Sequence, residues 1–140
     1  NAKEHNVSLS LRLAPGLEAV RAEECDTVTI AGMGGQTIAE ILTAAPWTGQ
    51  GDHLLLLQPM TMIAELRRWL YAHGYAIERE TLCREDRRRY VVLSADYLEQ
   101  LYLREKKALD GMEQGTSANK RLAYQRALVQ CIQSAREELK

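Results

Sequence analysis

The residues best suited to chemistry form a glycine-rich turn between a predicted strand and a predicted helix. Thr27–Ile30 is β-branched throughout, which is typical of a buried strand. Three glycines follow it, at Gly32, Gly34 and Gly35. Glycines let a ligand approach the backbone, and a helix that begins directly afterwards offers unpaired N–H groups. The same glycines would also serve a tight turn without any ligand, so the spacing alone leaves both interpretations open.

A second polar position lies at the end of the next predicted strand. His53–Leu57 is a continuous apolar run, which favours a parallel strand covered on both faces, and Gln58 and Pro59 close it. Ligands of open α/β sheets bind outside the carboxyl ends of such strands. The glycine turn and Gln58 therefore occupy equivalent ends of two strands.

Composition limits the partners that the chain could have. With 140 residues, 46% hydrophobic content and a net charge of −1, it is typical of a soluble globular protein with no overall attraction to nucleic acid or membrane. No apolar run is long enough for a membrane span, and we expect no signal peptide. The three cysteines match neither a metal site nor a disulfide framework, and the three histidines have no partner spacing. We expect a cytoplasmic location and no metal.

Periodicity predicts the elements that position these turns. In chain order they are a strand at Ser8–Leu13, a short helix at Leu17–Glu24, the strand at Thr27–Ile30, a helix at Gly35–Ala44 with a Thr37–Glu40 capping box, the strand at His53–Leu57, a helix at Thr61–His73 with Met62 on its inner face, and strands at Tyr75–Cys83 and Arg89–Ala95. The link between the last two strands is too short for a parallel crossover, so they must be antiparallel. Among α/β folds, that ending favours Rossmann-like methyltransferases over nicotinamide-binding domains.

The pattern changes from residue 97 onward. Apolar residues at helical spacing predict two amphipathic helices, separated by a break at Gly115–Ser117. Two such helices with a short link form an antiparallel hairpin that is similar to a coiled coil. The predicted fold class is therefore α/β, with residues 3–95 as a partial domain and residues 97–140 as a C-terminal helical hairpin.

Together these motifs resemble the bacterial tRNA (adenine-22-N1)-methyltransferases, which use S-adenosylmethionine. The family has an Ile-Ala-Gly-Met-Gly-Gly turn, present here as Ile30–Gly35, and a strand that ends in Leu-Gln-Pro, present as Leu57–Pro59. An arginine helix and an acidic pair before the last strand match at Arg67 and at Glu85–Asp86. The resemblance covers roughly residues 3–95.

Two departures from the family pattern are clear. The acidic Asp-x-Gly-x-Asp-His cofactor motif does not occur in the sequence, and neither do the first two strands. In addition, Pro15 replaces the acidic residue of the family's Arg-Leu-Gly-Asp-Gly-Leu. The resemblance therefore implies an incomplete Rossmann-like sheet, equivalent to the C-terminal two-thirds of such an enzyme, which we expect to be inactive alone. S-adenosylmethionine is then the cofactor of the complete enzyme and is not expected to bind this chain alone.

The resemblance also implies roles for particular residues. Ala31, Gly32, Met33, Gly34 and Gly35 would line the cofactor site, and Met33, Gly34 and Gln58 would lie where the methyl group meets the base. Alternatively, Met33 packs into the core. Gln58 either donates to the adenine ring or caps the neighbouring helix.

Basic residues form one notable cluster. The candidates for contact with tRNA phosphates are Arg67, Arg68, Arg84, Arg87, Arg88 and Arg89. Nearby acids suggest the alternative of a solvated face. Tyr90 could stack on a base or belong to the core.

The function predicted from the sequence is methyl transfer to N1 of an adenine in tRNA. One rival is a non-catalytic interaction module that keeps the scaffold, and another is a nicotinamide-binding protein. The glycine turn lacks the GxGxxG spacing that the nicotinamide rival needs. Without a preceding strand, Thr27–Ile30 would leave an open sheet edge, so a homodimer through that edge is also expected.

Overall fold

A computed structural model describes residues 8–114 and 120–139, and in it four strands form one mixed sheet. The elements are β1 (Thr27–Gly34), α1 (Gly35–Ala44), β2 (Leu54–Thr61), α2 (Ile63–Ala72), β3 (Tyr75–Glu85), β4 (Arg88–Tyr97), α3 (Leu98–Glu113) and α4 (Lys120–Glu138). Short 3₁₀ helices occupy Ala22–Glu24 and Pro46–Gly49.

The sheet order is β1-β2-β4-β3. β1 and β2 are parallel, whereas β4 is antiparallel to both of its neighbours, β2 and β3. The last strand therefore inserts into the sheet between two earlier strands. The predicted parallel units, the antiparallel ending and the α/β class are confirmed.

The main core lies between the sheet and helices α1 and α2. Its fully buried side chains are Ile38 and Leu42 of α1, Leu66 and Leu70 of α2, and Leu55, Leu57 and Leu93 of the sheet. Their spacing of three or four residues in the helices and of two residues in β2 gives each element one apolar face. Leu54 and Leu56 are only half-buried, so the predicted cover on both faces of β2 is incomplete.

Helices α3 and α4 pack against each other around a second, smaller core of Leu98, Leu101 and Ile132. Ala76 of β3 packs against the same cluster, which joins the hairpin to the sheet. The predicted pair of helices is confirmed, and the predicted break at Gly115–Ser117 lies outside the described residues. The division of the chain near residue 96 into two domains stays a prediction.

The predictions for the N-terminal region are wrong. Residues 8–13 form no strand, and Leu9, Leu11 and Leu13 are 62%, 89% and 104% exposed. An alternating pattern forms a strand only where a sheet edge accepts it, and no described strand pairs with this segment. The predicted helix Leu17–Glu24 is a turn followed by the 3₁₀ helix Ala22–Glu24.

A bidentate ion pair fixes this irregular N-terminal region. Arg12 donates to both Glu24 carboxylate oxygens at 2.5 and 2.8 Å, and its Nη1 also donates to the carbonyl of Ala19 at 2.6 Å. The hydrogen bonds from Arg12 lower the pKa of the Glu24 carboxyl to about 2. Side-chain hydrogen bonds thus hold this segment in place, whereas a strand would be held by backbone hydrogen bonds.

Two helix starts also differ from prediction. The Thr37–Glu40 capping box does not form, because Gly34 precedes α1 without a side-chain cap and Glu40 accepts a hydrogen bond from Gln36. Met62 is not part of α2; it precedes the helix in the left-handed region at φ 55° and is exposed. The Met62 backbone is needed for a turn, so its side chain cannot join the inner face.

Within the described residues, no helix is both long and apolar enough to cross a membrane. Cys25, Cys83 and Cys131 are free thiols in the structure.

Candidate functional site

The glycine turn and Gln58 lie next to each other, at the carboxyl ends of the parallel strands β1 and β2. Ala31 of β1 is in register with Gln58 of β2, and the strands are irregular from Ala31 to Gly34. This irregularity aims the Gly32 N–H at Gln58, whose Oε1 accepts its hydrogen bond at 3.0 Å. Gln58 therefore does not cap α2; it fixes the glycine turn.

The glycine turn is open on one side and tightly closed on the other. Gly32 has φ +77°, and a Cβ built there would meet no atom within 4 Å, so its backbone faces open space. Gly35 is buried, and a Cβ there would lie 2.4 Å from the carbonyl oxygen of Met62. The first glycine supplies a left-handed conformation, and the second lets two turns touch. A ligand can therefore reach the backbone at Gly32, while Gly35 packs closely against the turn before α2.

Three methionine side chains surround this edge. Met33, Met60 and Met62 are 42%, 47% and 45% exposed. The alternative that Met33 packs into the core is therefore wrong. Thioether side chains are apolar, polarisable and adaptable, which suits contact with a flat ring.

The β3–β4 hairpin extends beyond this same edge as an arm of exposed residues, 78–89. Near its tip, a cavity of about 230 Å³ opens between Met60 at the end of β2 and the β4 residues Arg88, Arg89 and Tyr90. Tyr90 is half-buried, which is compatible with either of its predicted roles. The arm thus places cationic and aromatic side chains next to the strand end that carries Gln58.

The arginine candidates fall into two groups. Arg67 makes a bidentate pair with Glu80 at 2.6 and 2.7 Å, which lowers the pKa of the Glu80 carboxyl, and Arg68 lies 3.4 Å from Glu65. These two arginines are already neutralised, and Arg67 braces the arm against α2.

The second group is Arg84, Arg87, Arg88 and Arg89. Arg84 donates to the carbonyl of Asp86 at 2.9 Å, and none of the four pairs with a carboxylate of the described chain. The tip of the arm, residues 84–89, therefore carries four arginines against two acids.

One polar cluster was not predicted from the sequence. Asp96, only 1% exposed, accepts from Arg104 Nη1 at 2.6 Å, and Arg104 Nη2 donates to Glu78 at 2.6 Å. Hydrogen bonds to Asp96 and Glu105 raise the pKa of Arg104 against the opposing effect of burial. The one indication of this cluster in the sequence is Asp96, a carboxylate near the end of a mainly apolar strand. This cluster joins α3 to the base of the arm.

Among the described residues, no group of His, Cys, Asp or Glu side chains is placed to hold a metal ion. A sequence model of the methyltransferase domain matches residues 1–93, well over half of the chain. The chain belongs to the methyltransferase domain family. The mixed sheet with its inserted last strand is thus a methyltransferase fold.

One relative has a more specific name than the family. The tRNA (adenine(22)-N(1))-methyltransferase of Bacillus subtilis (strain 168) is 42% identical over 91 residues, which are 65% of this methyltransferase chain and 38% of the relative. The chain thus spans well under half of that relative's length.

Solved structures show the same fold. Sp1610 of Streptococcus pneumoniae, a proposed tRNA (m1A22) methyltransferase, matches with a TM-score of 0.63 and 27% identity, covering 99% of this chain and 74% of that one. Sp1610 has also been solved in complex with S-adenosyl-L-methionine. The B. subtilis m1A22 tRNA methyltransferase TrmK matches with a TM-score of 0.62 and 24% identity over the same shares. These matches extend over the helical hairpin.

Proposed function

We propose that this chain carries the base-facing part of an S-adenosylmethionine-dependent tRNA (adenine-N1)-methyltransferase. The observation that supports it most is the hydrogen bond from Gly32 to Gln58, which joins the carboxyl ends of β1 and β2 into one surface. Ligands of open α/β sheets bind at such an edge. The identity to the Bacillus enzyme supplies the substrate class.

Positioning is what this reaction requires of the protein. Ring nitrogen N1 of adenine already holds a lone pair, so no base has to remove a proton before in-line attack. The cofactor supplies an electrophilic methyl group. Gln58 Oε1 is held by Gly32, whereas its Nε2 has only long contacts, at 3.3 Å to the Pro59 carbonyl and 3.4 Å to Met60 Sδ. In this proposal Nε2 exchanges these weak contacts for a hydrogen bond to the adenine, with Met33 and Gly34 beside it.

The cofactor fits only in part. Open space above Gly32 lets a ligand approach Ala31–Gly35, but the Gly32 N–H is already engaged by Gln58, which leaves few directed donors. We therefore expect no useful affinity of this chain alone for S-adenosylmethionine. Three or four missing hydrogen bonds, each worth on the order of 1–3 kcal/mol, would carry a micromolar site beyond millimolar.

Titration calorimetry tests this expectation, first on the chain alone and then on the chain joined to the N-terminal part of the Bacillus relative. We expect heat of binding, and transfer of a labelled methyl group to a tRNA transcript, only in the joined protein. Micromolar binding by the chain alone would show that the cofactor site is wrongly placed. A joined protein that folds and binds the cofactor without transferring methyl groups would favour the non-catalytic interaction module.

The partner in this proposal is tRNA, and the location is cytoplasmic, as expected from the free cysteines. Arg84, Arg87 and Arg88 would contact phosphates, since they lack carboxylate partners in the described parts of the chain. Arg67 would contribute mainly by holding the arm through Glu80, and Arg68 would contribute little, because Glu65 of its own helix already pairs with it.

A homodimer through the free edge of β1 is the other proposed contact. β1 is the end strand of the sheet, and Thr27, Thr29 and Ala31 are exposed along it. The unpaired backbone N–H and C=O groups of an end strand can form hydrogen bonds with a strand of another molecule. Light scattering should give twice the monomer mass for this chain. A monomer whose Thr27–Ile30 amides exchange freely would contradict the proposal.

A further inference from the structure

We infer that Arg84 and Arg89 form a phosphate-binding pair that positions a nucleotide next to the target adenine, a role that deepens the proposed function and rests on it. The two residues are directly opposite each other, Arg84 on β3 and Arg89 on β4. Opposite residues of an antiparallel pair point to the same face, with Cβ atoms about 5 Å apart. The two arginine side chains therefore leave the same face of the arm side by side.

This juxtaposition costs stability. Like charges directly opposite each other destabilise an antiparallel pair, and no carboxylate of the described chain pairs with either arginine. The neighbouring opposite pair, Glu85 and Arg88, has the complementary charges that a purely structural hairpin would favour. An unfavourable pair next to a favourable one is explained if an anion binds between the two arginines.

The surroundings of the pair favour a nucleotide over a free anion. Two residues along each strand, Leu82 and Val91 are opposite each other and share the face of the two arginines, and Leu82 is 79% exposed. Apolar surface beside paired cations suits a base or ribose attached to a phosphate.

Distance also supports this placement. Arg89 lines the cavity of about 230 Å³ against Met60, below the roughly 300–1,000 Å³ typical of sites for larger ligands. β4 lies beside β2, and β2 beside β1, so Arg89 lies about 10 Å across the sheet from β1, and Arg84 on the next strand lies about 15 Å from it. A nucleotide there would flank an adenine held at Gln58.

The test compares Arg84→Glu with the parent chain, using an unmodified tRNA transcript as the probe. Losing one phosphate contact and adding a repulsive charge should weaken binding at least about fivefold at near-physiological salt, and the salt dependence should become shallower by about one ion. Arg21→Glu, which changes the net charge equally but precedes β1 at the other edge of the sheet, should bind like the parent.

A stability readout separates this role from a structural one. Arg84→Glu places opposite charges across the hairpin, so the amides of residues 82–91 should exchange more slowly, by up to about fivefold. Arg88→Glu places an acid opposite Glu85 and should speed that exchange. Binding equal to the parent's in Arg84→Glu, or no binding of transcript by the parent at about 50 mM salt, would overturn the inference. Failure of methyl transfer in the joined protein, with these binding differences intact, would instead count against the proposed function.

Discussion

Replacing Arg104 with methionine is expected to lower the free energy of unfolding by about 3 kcal/mol. Arg104 supplies the 2.6 Å hydrogen bond to Asp96 Oδ2, and the other oxygen, Oδ1, has no partner within the described residues. Methionine keeps much of the aliphatic packing but leaves a buried carboxylate without any partner. The Arg104 side chain is 44% exposed, so water can reach the gap and the loss should lie at the low end for buried pairs.

Chemical denaturation of three variants would check this value. Arg126→Met removes the exposed pair with Glu113 at 2.8 Å and should cost less than about 1 kcal/mol. Adding Asp96→Leu to Arg104→Met should recover part of the lost stability, because the buried carboxylate is then also replaced by an apolar group. Equal losses in Arg104→Met and Arg126→Met would mean that the buried carboxylate contributes nothing.

The Arg104 cluster shows what local patterns leave open. Asp96 follows Leu93–Ala95 at a buried strand end, so the sequence indicates that some cation must neutralise it. The sequence does not say which one, because Arg104 reaches Asp96 and Glu78 only once α3 has docked on the sheet. Tertiary packing selects the partner.

The glycine turn was predictable for the opposite reason. Its strand, its glycines and helix α1 are adjacent in sequence, and α1 has the predicted bounds Gly35–Ala44. The rule that parallel strands end at one edge also placed Gln58 beside it. The hydrogen bond between Gly32 and Gln58 depends on the irregular register between Ala31 and Gly34, which no periodicity records.

The segment Ser8–Leu13 shows the limit of alternation as a signal. Its leucines follow the two-residue period of a strand, yet all three are exposed. A period describes which side chains could share a face, whereas a strand also needs a partner with free hydrogen-bonding groups. The alternation of polar and apolar residues therefore does not by itself predict a strand at Ser8–Leu13.

Replacing Gly35 with alanine is expected to lower the free energy of unfolding by about 3 kcal/mol, at the upper end for overpacking. The new Cβ would lie 2.4 Å from the Met62 carbonyl oxygen and 3.1 Å from Leu66 Cβ. That carbonyl cannot simply swing away, because it accepts the Leu66 N–H at 3.1 Å and Met62 already has φ 55°. The turns before α1 and α2 must therefore separate.

Gly111→Ala is the matched control, and urea denaturation of both variants measures the difference. A Cβ at Gly111 in α3 would meet no atom within 4 Å, so alanine there should raise the free energy of unfolding by about 1 kcal/mol through helix propensity. Gly35→Ala should also shift the amide signal of Gly32, because separating the turns lengthens its hydrogen bond to Gln58. Equal stability of the two variants would mean that the turns are not in contact in solution. A large loss in Gly35→Ala with the Gly32 signal unmoved would confine the role of this glycine to packing and separate it from the candidate site.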